Sequence, residues 1–183
     1  VQYCNETLTR KASGSARVIY IIDDKKVLKL AKNEKGIAQN GVESDHMLNQ
    51  WYGDIIAKVL ESDDEDRWIV SEYAKKISPG KFKQLLGVSI NQFHAYLAEL
   101  HPDKKGGFYT EKIDDATRKI LDVNNNEFMY DLVDMVGNWD MGIGDFSRIS
   151  TFGEIDGRLV ITDYGLTQEV YNTHYHKKPQ GKY

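Results

Sequence analysis

The sequence has few of the features that mark secreted or membrane-spanning proteins. Its 183 residues include a single cysteine, Cys4, which excludes an intramolecular disulfide and favours a reducing, cytoplasmic setting. No apolar run approaches the roughly 20 residues of a membrane helix. The first residues, VQYCNETLTRK, lack the apolar centre of a signal peptide. The chain does not begin with Met, which is typical of a processed or incompletely represented chain.

Basic residues are not in excess. Lys and Arg number 24 against 28 Asp and Glu, which gives a net charge of -4 and no general positive field for nucleic acid. Hydrophobic residues make up 40% of the chain and charged residues 28%, as in ordinary globular domains that bury a core. We therefore expect one domain, or one domain with two lobes, that neither crosses a membrane nor binds nucleic acid.

β-Branched residues dominate the first part of the chain. The runs RVIYII (17–22) and KVLKLA (26–31) are joined by Asp-Asp-Lys at 23–25, which predicts a tight hairpin. A helix is expected within 33–60, and WIVSEYA (68–74) predicts a further strand.

The second part of the chain is mainly helical. Apolar residues recur along 81–100 and 127–138 and predict amphipathic helices, while 151–162 predicts a late hairpin. This order of elements indicates an α+β fold with a β-rich front (1–74) and a helical back (75–183).

Two aspartates flank the predicted late hairpin. Asp145 lies in the tripeptide GDF and Asp163 in DYG, so the hairpin would bring both carboxylates to the same end of this element. One such carboxylate can orient or deprotonate a hydroxyl while the other holds Mg²⁺. Two solvated loop aspartates are the alternative interpretation, because aspartate is a common turn residue.

A lysine interrupts the second predicted strand. Strand alternation places Lys29 on the same face as Val27 and Ala31, and a lysine on an enclosed face needs a partner. Glu43, in the following helix, is the best candidate, and such a pair can hold a cation against triphosphate oxygens. A Lys29 side chain that points to solvent is the alternative.

Together these motifs resemble protein-kinase-like phosphotransferases over about residues 12–168. The segment VLK, which ends at Lys29, resembles the Val-Ala-Ile-Lys strand. GDF resembles the catalytic loop of small-molecule kinases, and DYG resembles Asp-Phe-Gly. The step of 18 residues from Asp145 to Asp163 is close to the usual spacing of that family. VLKLAKNEKGIAQN and LVITDYGLT are similar to short kinase-like proteins of tailed bacteriophages.

The resemblance implies a minimal two-lobed protein-kinase-like fold that uses ATP and Mg²⁺. Lys29 would bind the α- and β-phosphates, with Glu43 holding Lys29 in place. Asp163 would coordinate the metal, and Asp145 would orient the acceptor hydroxyl. Lys29, Asp145 and Asp163 are therefore the predicted catalytic residues.

Further residues are candidates for nucleotide binding. The tetrapeptide SEYA after the third strand resembles the hinge that holds adenine, which indicates Glu72 and Ala74. Gly14 and Ser15 stand where a glycine-rich phosphate loop is expected, and Arg17 could add a contact to phosphate. Only one glycine is present there, so a simple turn before the strand is an equal alternative.

The loop after Asp145 departs from the family. Ser150 stands where the resemblance implies an asparagine metal ligand, and Arg148 could neutralise phosphate instead. Only 18 residues follow Gly165, fewer than the resemblance implies for docking of peptides. A small hydroxyl-bearing acceptor, autophosphorylation and absence of catalysis all stay open.

Two main functions follow from the sequence. The first is an ATP-dependent phosphotransferase whose acceptor is unknown. The second is a catalytically weak or dead pseudokinase that acts as a phage protein-binding module on a host or virion protein, either in the host cytoplasm or in the virion. An accessory virion protein that uses the fold only as a scaffold is a third, since fold does not fix function.

Overall fold

The computed structural model describes residues 2–104 and 112–175, which form an α+β chain with two compact units. The first unit holds the larger sheet, and the second holds the smaller sheet and four whole α-helices. The predicted α+β class is confirmed, while the predicted division after residue 74 stays a prediction. The first unit comprises Val1–Asn49, Lys58–Tyr73 and Tyr164–Tyr183, and the second comprises Gln50–Ala57 and Ala74–Asp163.

Eight strands in the described residues form two antiparallel sheets. The five-stranded sheet has the order β1-β2-β3-β5-β4, and the three-stranded sheet has the order β6-β7-β8. The strands are β1 (Thr9–Ser13), β2 (Arg17–Ile21), β3 (Lys26–Ala31), β4 (Val59–Ser62), β5 (Trp68–Glu72), β6 (Lys75–Lys76), β7 (Phe152–Ile155) and β8 (Arg158–Ile161).

The same residues contain eight α-helices, and two 3-10 turns, Gly144–Ser147 and Ile149–Thr151, precede β7. No helix in the described part of the chain has the length and apolarity needed to span a membrane. The helices are α1 (Gln2–Thr7), α2 (Glu34–Ser44), α3 (His46–Trp51), α4 (Pro79–Leu86), α5 (Ile90–Leu100), α6 (Asp115–Leu121), α7 (Glu127–Asn138) and α8 (Gln168–His174).

The predicted hairpin at the front of the chain is present as β2 and β3. The backbone N–H of Lys25 donates to Asp23 Oδ1 at 2.8 Å and closes the turn. The register pairs Ile19 with Lys29. Alternation along β3 buries Val27 and Lys29 on one face, as the sequence predicts.

The single helix expected within 33–60 is instead two helices followed by β4. Asp45 ends α2 because its backbone leaves the helical region, at φ -53° and ψ 122°. Its Oδ1 accepts from the N–H of Leu48 at 2.9 Å, so the same side chain begins α3. Leu48 is fully buried, whereas Trp51 stays 53% exposed.

The helical stripe predicted over 81–100 is also divided. Gly87 ends α4 with a positive φ of 90°, a conformation that glycine adopts without steric cost. Ser89 then begins α5 through a capping box. Pro79 is the first residue of α4, where its missing N–H costs nothing.

A cluster of phenylalanines fills part of the second unit. Phe82 of α4, Phe93 of α5 and Phe152 of β7 meet edge to face, with ring centroids 5.0–5.6 Å apart. Phe146 joins at 6.4 Å from Phe152. Because Phe146 lies in the first 3-10 turn, this packing anchors the loop that carries Asp145.

Candidate functional site

Lys29 and Glu43 form a buried ion pair within the first unit. Lys29 is 3% exposed on β3, and its Nζ donates to Oε2 of Glu43 on α2, which is fully buried. The pair that the sequence pattern predicts is therefore present. Its proposed role toward nucleotide phosphates stays a prediction.

Arg17 of β2 contacts the same carboxylate. Its Nη2 lies 2.8 Å from Glu43 Oε1, and its Nη1 donates to Asn40 Oδ1 at 3.3 Å. From the sequence Arg17 is a candidate phosphate contact, but in the structure its side chain is 7% exposed and engages α2. Strand alternation could have predicted this position of Arg17. Ile19 pairs with Lys29, and Arg17, two residues before Ile19, lies on the same face of the sheet as Lys29.

The two cations decide the ionisation of Glu43. Burial by itself would raise the pKa of this carboxyl, since a charge is costly in a dry interior. Arg17 and then Lys29 outweigh that effect and hold the pKa of Glu43 below its usual value. Glu43 is thus a carboxylate that stays charged inside the protein.

Tyr164, the middle residue of DYG, packs beside this pair. It is 2% exposed, and Lys29 Nζ lies 5.6 Å from its ring centroid, within cation–π range. Burial, and then the charge of Glu43, raise the pKa of the Tyr164 phenol well above its usual value. The hydroxyl therefore stays neutral at physiological pH.

Gly165 fixes the DYG segment against α2. A Cβ at this position would lie 2.5 Å from the carbonyl oxygen of Gln39. No side chain fits such an approach without movement of the backbone. Packing thus requires a glycine here, which explains why the third residue of DYG is glycine.

Asp145 lies in the second unit, in the 3-10 turn Gly144–Ser147. Its carboxylate oxygen is 3.3 Å from Nη1 of Arg148, and its side chain is 25% exposed. His94 of α5 is buried, and its Nε2 lies 3.1 Å from the carbonyl oxygen of Ile143, two residues before Asp145. His94 was not predicted to have a role, and it supports this loop from a distant position in the sequence.

Thr151 connects the Asp145 loop to the Asp163 segment. Its hydroxyl donates to the carbonyl oxygen of Asp145 at 2.7 Å. Its own carbonyl oxygen accepts from Thr162 twice, from the backbone N–H at 2.7 Å and from Oγ1 at 3.1 Å. Asp163 follows Thr162 directly. The register of Phe152 with Ile161 places both segments at the open end of the β7–β8 hairpin.

The two carboxylates influence one another. Burial raises the pKa of Asp145, and the negative charge of Asp163 raises it further, while Arg148 acts in the opposite direction. A like charge nearby favours the protonated carboxyl. Asp163 itself is exposed. The structure thus brings the Asp145 and Asp163 segments to the same end of the β7–β8 hairpin, and their roles stay predictions.

The segment around Gly14 and Ser15 is an exposed turn at the β1–β2 connection. The N–H of Gly14 donates to the carbonyl oxygen of Arg17 at 2.9 Å. Lys32 Nζ donates to the Gly14 carbonyl at 2.8 Å, and Asn33 Nδ2 to that of Ser15 at 3.0 Å. These contacts shape the turn, and nucleotide binding by Gly14 and Ser15 stays a prediction.

Glu72 and Ala74 occupy the predicted adenine hinge. Glu72 ends β5 and is half-buried, and both its N–H and its Oε2 bond to the backbone of Lys58, at 2.9 and 3.0 Å. Ala74, in the second unit, is buried, and a Cβ added to Gly153 would lie 2.6 Å from its side chain. Their contact with adenine stays a prediction.

Ser150, the predicted second metal ligand, is exposed in the turn Ile149–Thr151. Its neighbour Thr151 is buried and makes the structural contacts of this loop. Within 2–104 and 112–175 no three or more His, Cys, Asp and Glu side chains gather as a metal site. A metal at this loop would rely on two carboxylates of the described chain and on groups from its substrate.

No protein-family model matches this chain, and no curated protein matches it. Among solved structures, it is similar to SAICAR synthase from Saccharomyces cerevisiae in complex with SAICAR, with a TM-score of 0.41, 13% identity and coverage of 88% of this chain and 74% of that one. It is also similar to the aminoglycoside phosphotransferase APH(2″)-Ib bound to ADP, with a TM-score of 0.40, 14% identity and coverage of 90% and 68%. A third similar structure is the ternary complex of streptomycin, ATP and APH(2″)-IIa, with a TM-score of 0.39, 14% identity and coverage of 90% of this chain and 69% of that one. At these TM-scores the fold assignment rests on this chain's own strands and helices.

Proposed function

We propose that this protein is an ATP-dependent phosphotransferase with a minimal kinase-like fold. The buried Lys29–Glu43 pair carries the proposal, because a strand lysine held by a helix glutamate is how kinases engage nucleotide phosphates. Asp145 and Asp163 support it, since their segments are tied together through Thr151. The acceptor would be a hydroxyl of a small molecule or of the protein itself.

Each of the four residues has a distinct role in this proposal. Lys29 would donate to the α- and β-phosphates while Glu43 keeps its ammonium in place. Asp145 would accept a hydrogen bond from the acceptor hydroxyl and orient it for attack on the γ-phosphate. Asp163 would bind the metal. Catalysis would come mainly from positioning and from neutralisation of phosphate charge.

The donors at the hairpin end fit Mg²⁺. This ion is commonly bound by one or two carboxylates, with waters and phosphate oxygens as its other ligands, so a larger cluster is not required. Burial and then the charge of Asp163 raise the pKa of Asp145, and a divalent cation would relieve the repulsion between the two carboxylates. Bound there, the metal would neutralise phosphate charge. Ser150 offers only a hydroxyl as a second ligand.

Transfer of label from γ-labelled ATP tests the proposal. The Asp145→Asn and Asp163→Asn variants keep the side-chain shape but remove the charge, and each should lower transfer by about 100-fold or more. Asp156→Asn is the matched control. Asp156 lies in the turn of the same hairpin with a φ of 49°, a conformation that asparagine tolerates, so transfer should be unchanged.

Two outcomes would contradict the phosphotransferase proposal. One is a wild-type protein that transfers no label to itself or to small hydroxyl compounds. The other is transfer that persists in both the Asp145→Asn and Asp163→Asn variants, which would point to a contaminating enzyme.

A pseudokinase that acts as a protein-binding module is the second candidate. It is favoured by the exposed turn at Gly14, which has one glycine where a phosphate loop has several, and by Ser150 in place of an asparagine. On this proposal the protein binds nucleotide without transfer and acts on a host or virion protein of a phage. Binding of Mg²⁺-ATP with no transfer, together with a stable complex with such a partner, would favour it.

A further inference from the structure

Two cations from adjacent strands share one buried carboxylate in the first unit. Lys29 of β3 contacts Oε2 of Glu43, and Arg17 of β2 contacts Oε1 at 2.8 Å. Each oxygen of the carboxylate thus has its own cation. The proposed function uses Lys29 and Glu43 and gives Arg17 no role.

Arg17 also reaches the preceding turn of α2. Its Nη1 donates to Oδ1 of Asn40 at 3.3 Å, three residues before Glu43 on the same helix face. Asn40 is fully buried, and its Nδ2 donates to the carbonyl oxygen of Asp66 at 2.8 Å. The planar guanidinium therefore holds two acceptors of α2 at once, which a lysine ammonium cannot do with the same geometry.

Nucleotide binding makes a demand on this arrangement. When the Lys29 ammonium forms hydrogen bonds with phosphate oxygens, its electrostatic interaction with the Glu43 carboxylate weakens. A buried carboxylate that loses its cation is strongly destabilised. A second cation on the other oxygen keeps the buried carboxylate neutralised while Lys29 contacts phosphate.

We propose that Arg17 is a positioning residue that keeps Glu43 neutralised and oriented while Lys29 engages nucleotide phosphates, an inference that rests on the proposed function. Arg17 is 7% exposed and its guanidinium engages α2, so it acts through Glu43 rather than by contact with phosphate. This also accounts for a strand that begins with a buried arginine directly after a turn poor in glycine.

A double-mutant cycle on the affinity for Mg²⁺-ATP tests this role. Arg17→Met should weaken the Kd by about tenfold or more, because a hydrogen bond to a charged group is lost. Arg17→Lys keeps the charge and should recover part of that affinity. In a Glu43→Gln background, Arg17→Met should cause no further loss, since no carboxylate is left to neutralise.

Arg67→Met is the matched control, because Arg67 is 60% exposed and pairs only with neighbouring acidic residues in the contacts described, Asp63 and Glu65. Its Kd should equal that of the wild type. Melting curves of every variant establish that it is folded. If Arg17→Met does not fold, the same cycle is run with Arg17→Lys.

The outcomes separate the two proposals. A wild type that does not bind Mg²⁺-ATP overturns the proposed function, and the role of Arg17 with it. A wild type that binds, with equal losses from the Arg17 substitution in both backgrounds, overturns only the role of Arg17 and indicates direct phosphate contact. Absence of any effect of Arg17→Met also overturns it.

Discussion

Glu43 is fully buried and charged, so its contribution to stability depends on pH. Arg17 and Lys29 hold the pKa of Glu43 below its unfolded value of about 4.3. A depressed folded pKa stabilises the protein above the unfolded pKa, and this stability is lost as pH falls through the folded value. Replacement by glutamine removes the charge that both cations need.

Glu43→Gln should therefore lower the free energy of unfolding at pH 7 by about 3–5 kcal/mol, because two buried cations lose their carboxylate. The difference in the free energy of unfolding between variant and wild type should become smaller below about pH 4. Urea unfolding at pH 7 and at acidic pH measures both quantities. A gap that is constant with pH would contradict the described role of the two cations.

Asp145 predicts a second pH effect, on transfer rather than stability. Its pKa is raised by burial and by Asp163, and Arg148 opposes the rise. If the carboxylate orients the acceptor, transfer falls as pH drops through this pKa. The acid limb of the pH profile of transfer should therefore follow the ionisation of Asp145.

Arg148→Met removes the group that favours the charged form of Asp145, so the acid limb of the pH profile of transfer should move to higher pH. The measurement is the pH profile of transfer under saturating ATP for wild type and variant. The expected direction follows from charge alone, since Arg148 is 70% exposed and packs little. An acid limb at the same pH in both proteins would show that Asp145 does not set it.

At the scale of elements, α2 is held within the first unit by contacts with Gly165 and Tyr175. Gly165 approaches the backbone of Gln39 so closely that a Cβ would lie 2.5 Å from its carbonyl oxygen. On the side of α8, Tyr175 packs under Lys35, whose Nζ is 4.5 Å from the ring centroid, and its hydroxyl bonds with Gln39 Nε2 at 3.2 Å. The helix that carries Glu43 is therefore fixed by the segment after the late hairpin.

Gly165→Ala should lower the free energy of unfolding by about 1–3 kcal/mol, the usual cost of overpacking. It should also weaken Mg²⁺-ATP binding, because α2 and Glu43 would shift. Gly142→Ala is the control, since nothing lies within 4 Å of the position that its Cβ would take. Equal stability of the two variants in urea would contradict the close packing of the DYG segment on α2.

At the scale of the whole molecule, the proposed function requires that nucleotide stabilises the folded chain. Mg²⁺-ATP at 100 times its Kd should add about 2.7 kcal/mol to the free energy of unfolding. In a protein of this size that corresponds to a rise in Tm of roughly 5–10 °C. Mg²⁺ or ATP alone should give a smaller shift. No shift at millimolar Mg²⁺-ATP would argue against both the phosphotransferase and the nucleotide-binding pseudokinase.

Local signals in the sequence were sufficient for several elements. The turn at 23–25 and the apolar spacing of 127–138 predicted the β2–β3 hairpin and α7 with nearly their observed bounds. Hydrophobic spacing alone could not place the breaks at Asp45 and Gly87, because each depends on a capping contact and a backbone angle. The short helices α6 and α8 were not predicted, since fewer than two full turns give little periodicity.

The candidate site shows the same limit. Lys29 and Glu43 were predicted to meet, because strand alternation and a following helix restrict where a buried lysine finds a carboxylate. That Arg17 would take the other oxygen, or that Thr151 would link the two aspartate segments, depends on register and loop geometry. Such contacts join residues distant in the sequence and leave no periodic signal.

A crystal structure with Mg²⁺ and a non-hydrolysable ATP analogue tests the central claim most directly. We expect Lys29 Nζ within hydrogen-bond distance of a phosphate oxygen, and an Asp163 carboxylate oxygen about 2.1 Å from the metal. Glu43 should keep its contact with Arg17. A nucleotide bound elsewhere, or crystals with no nucleotide at saturating concentration, would contradict the claim that this protein is an ATP-dependent phosphotransferase.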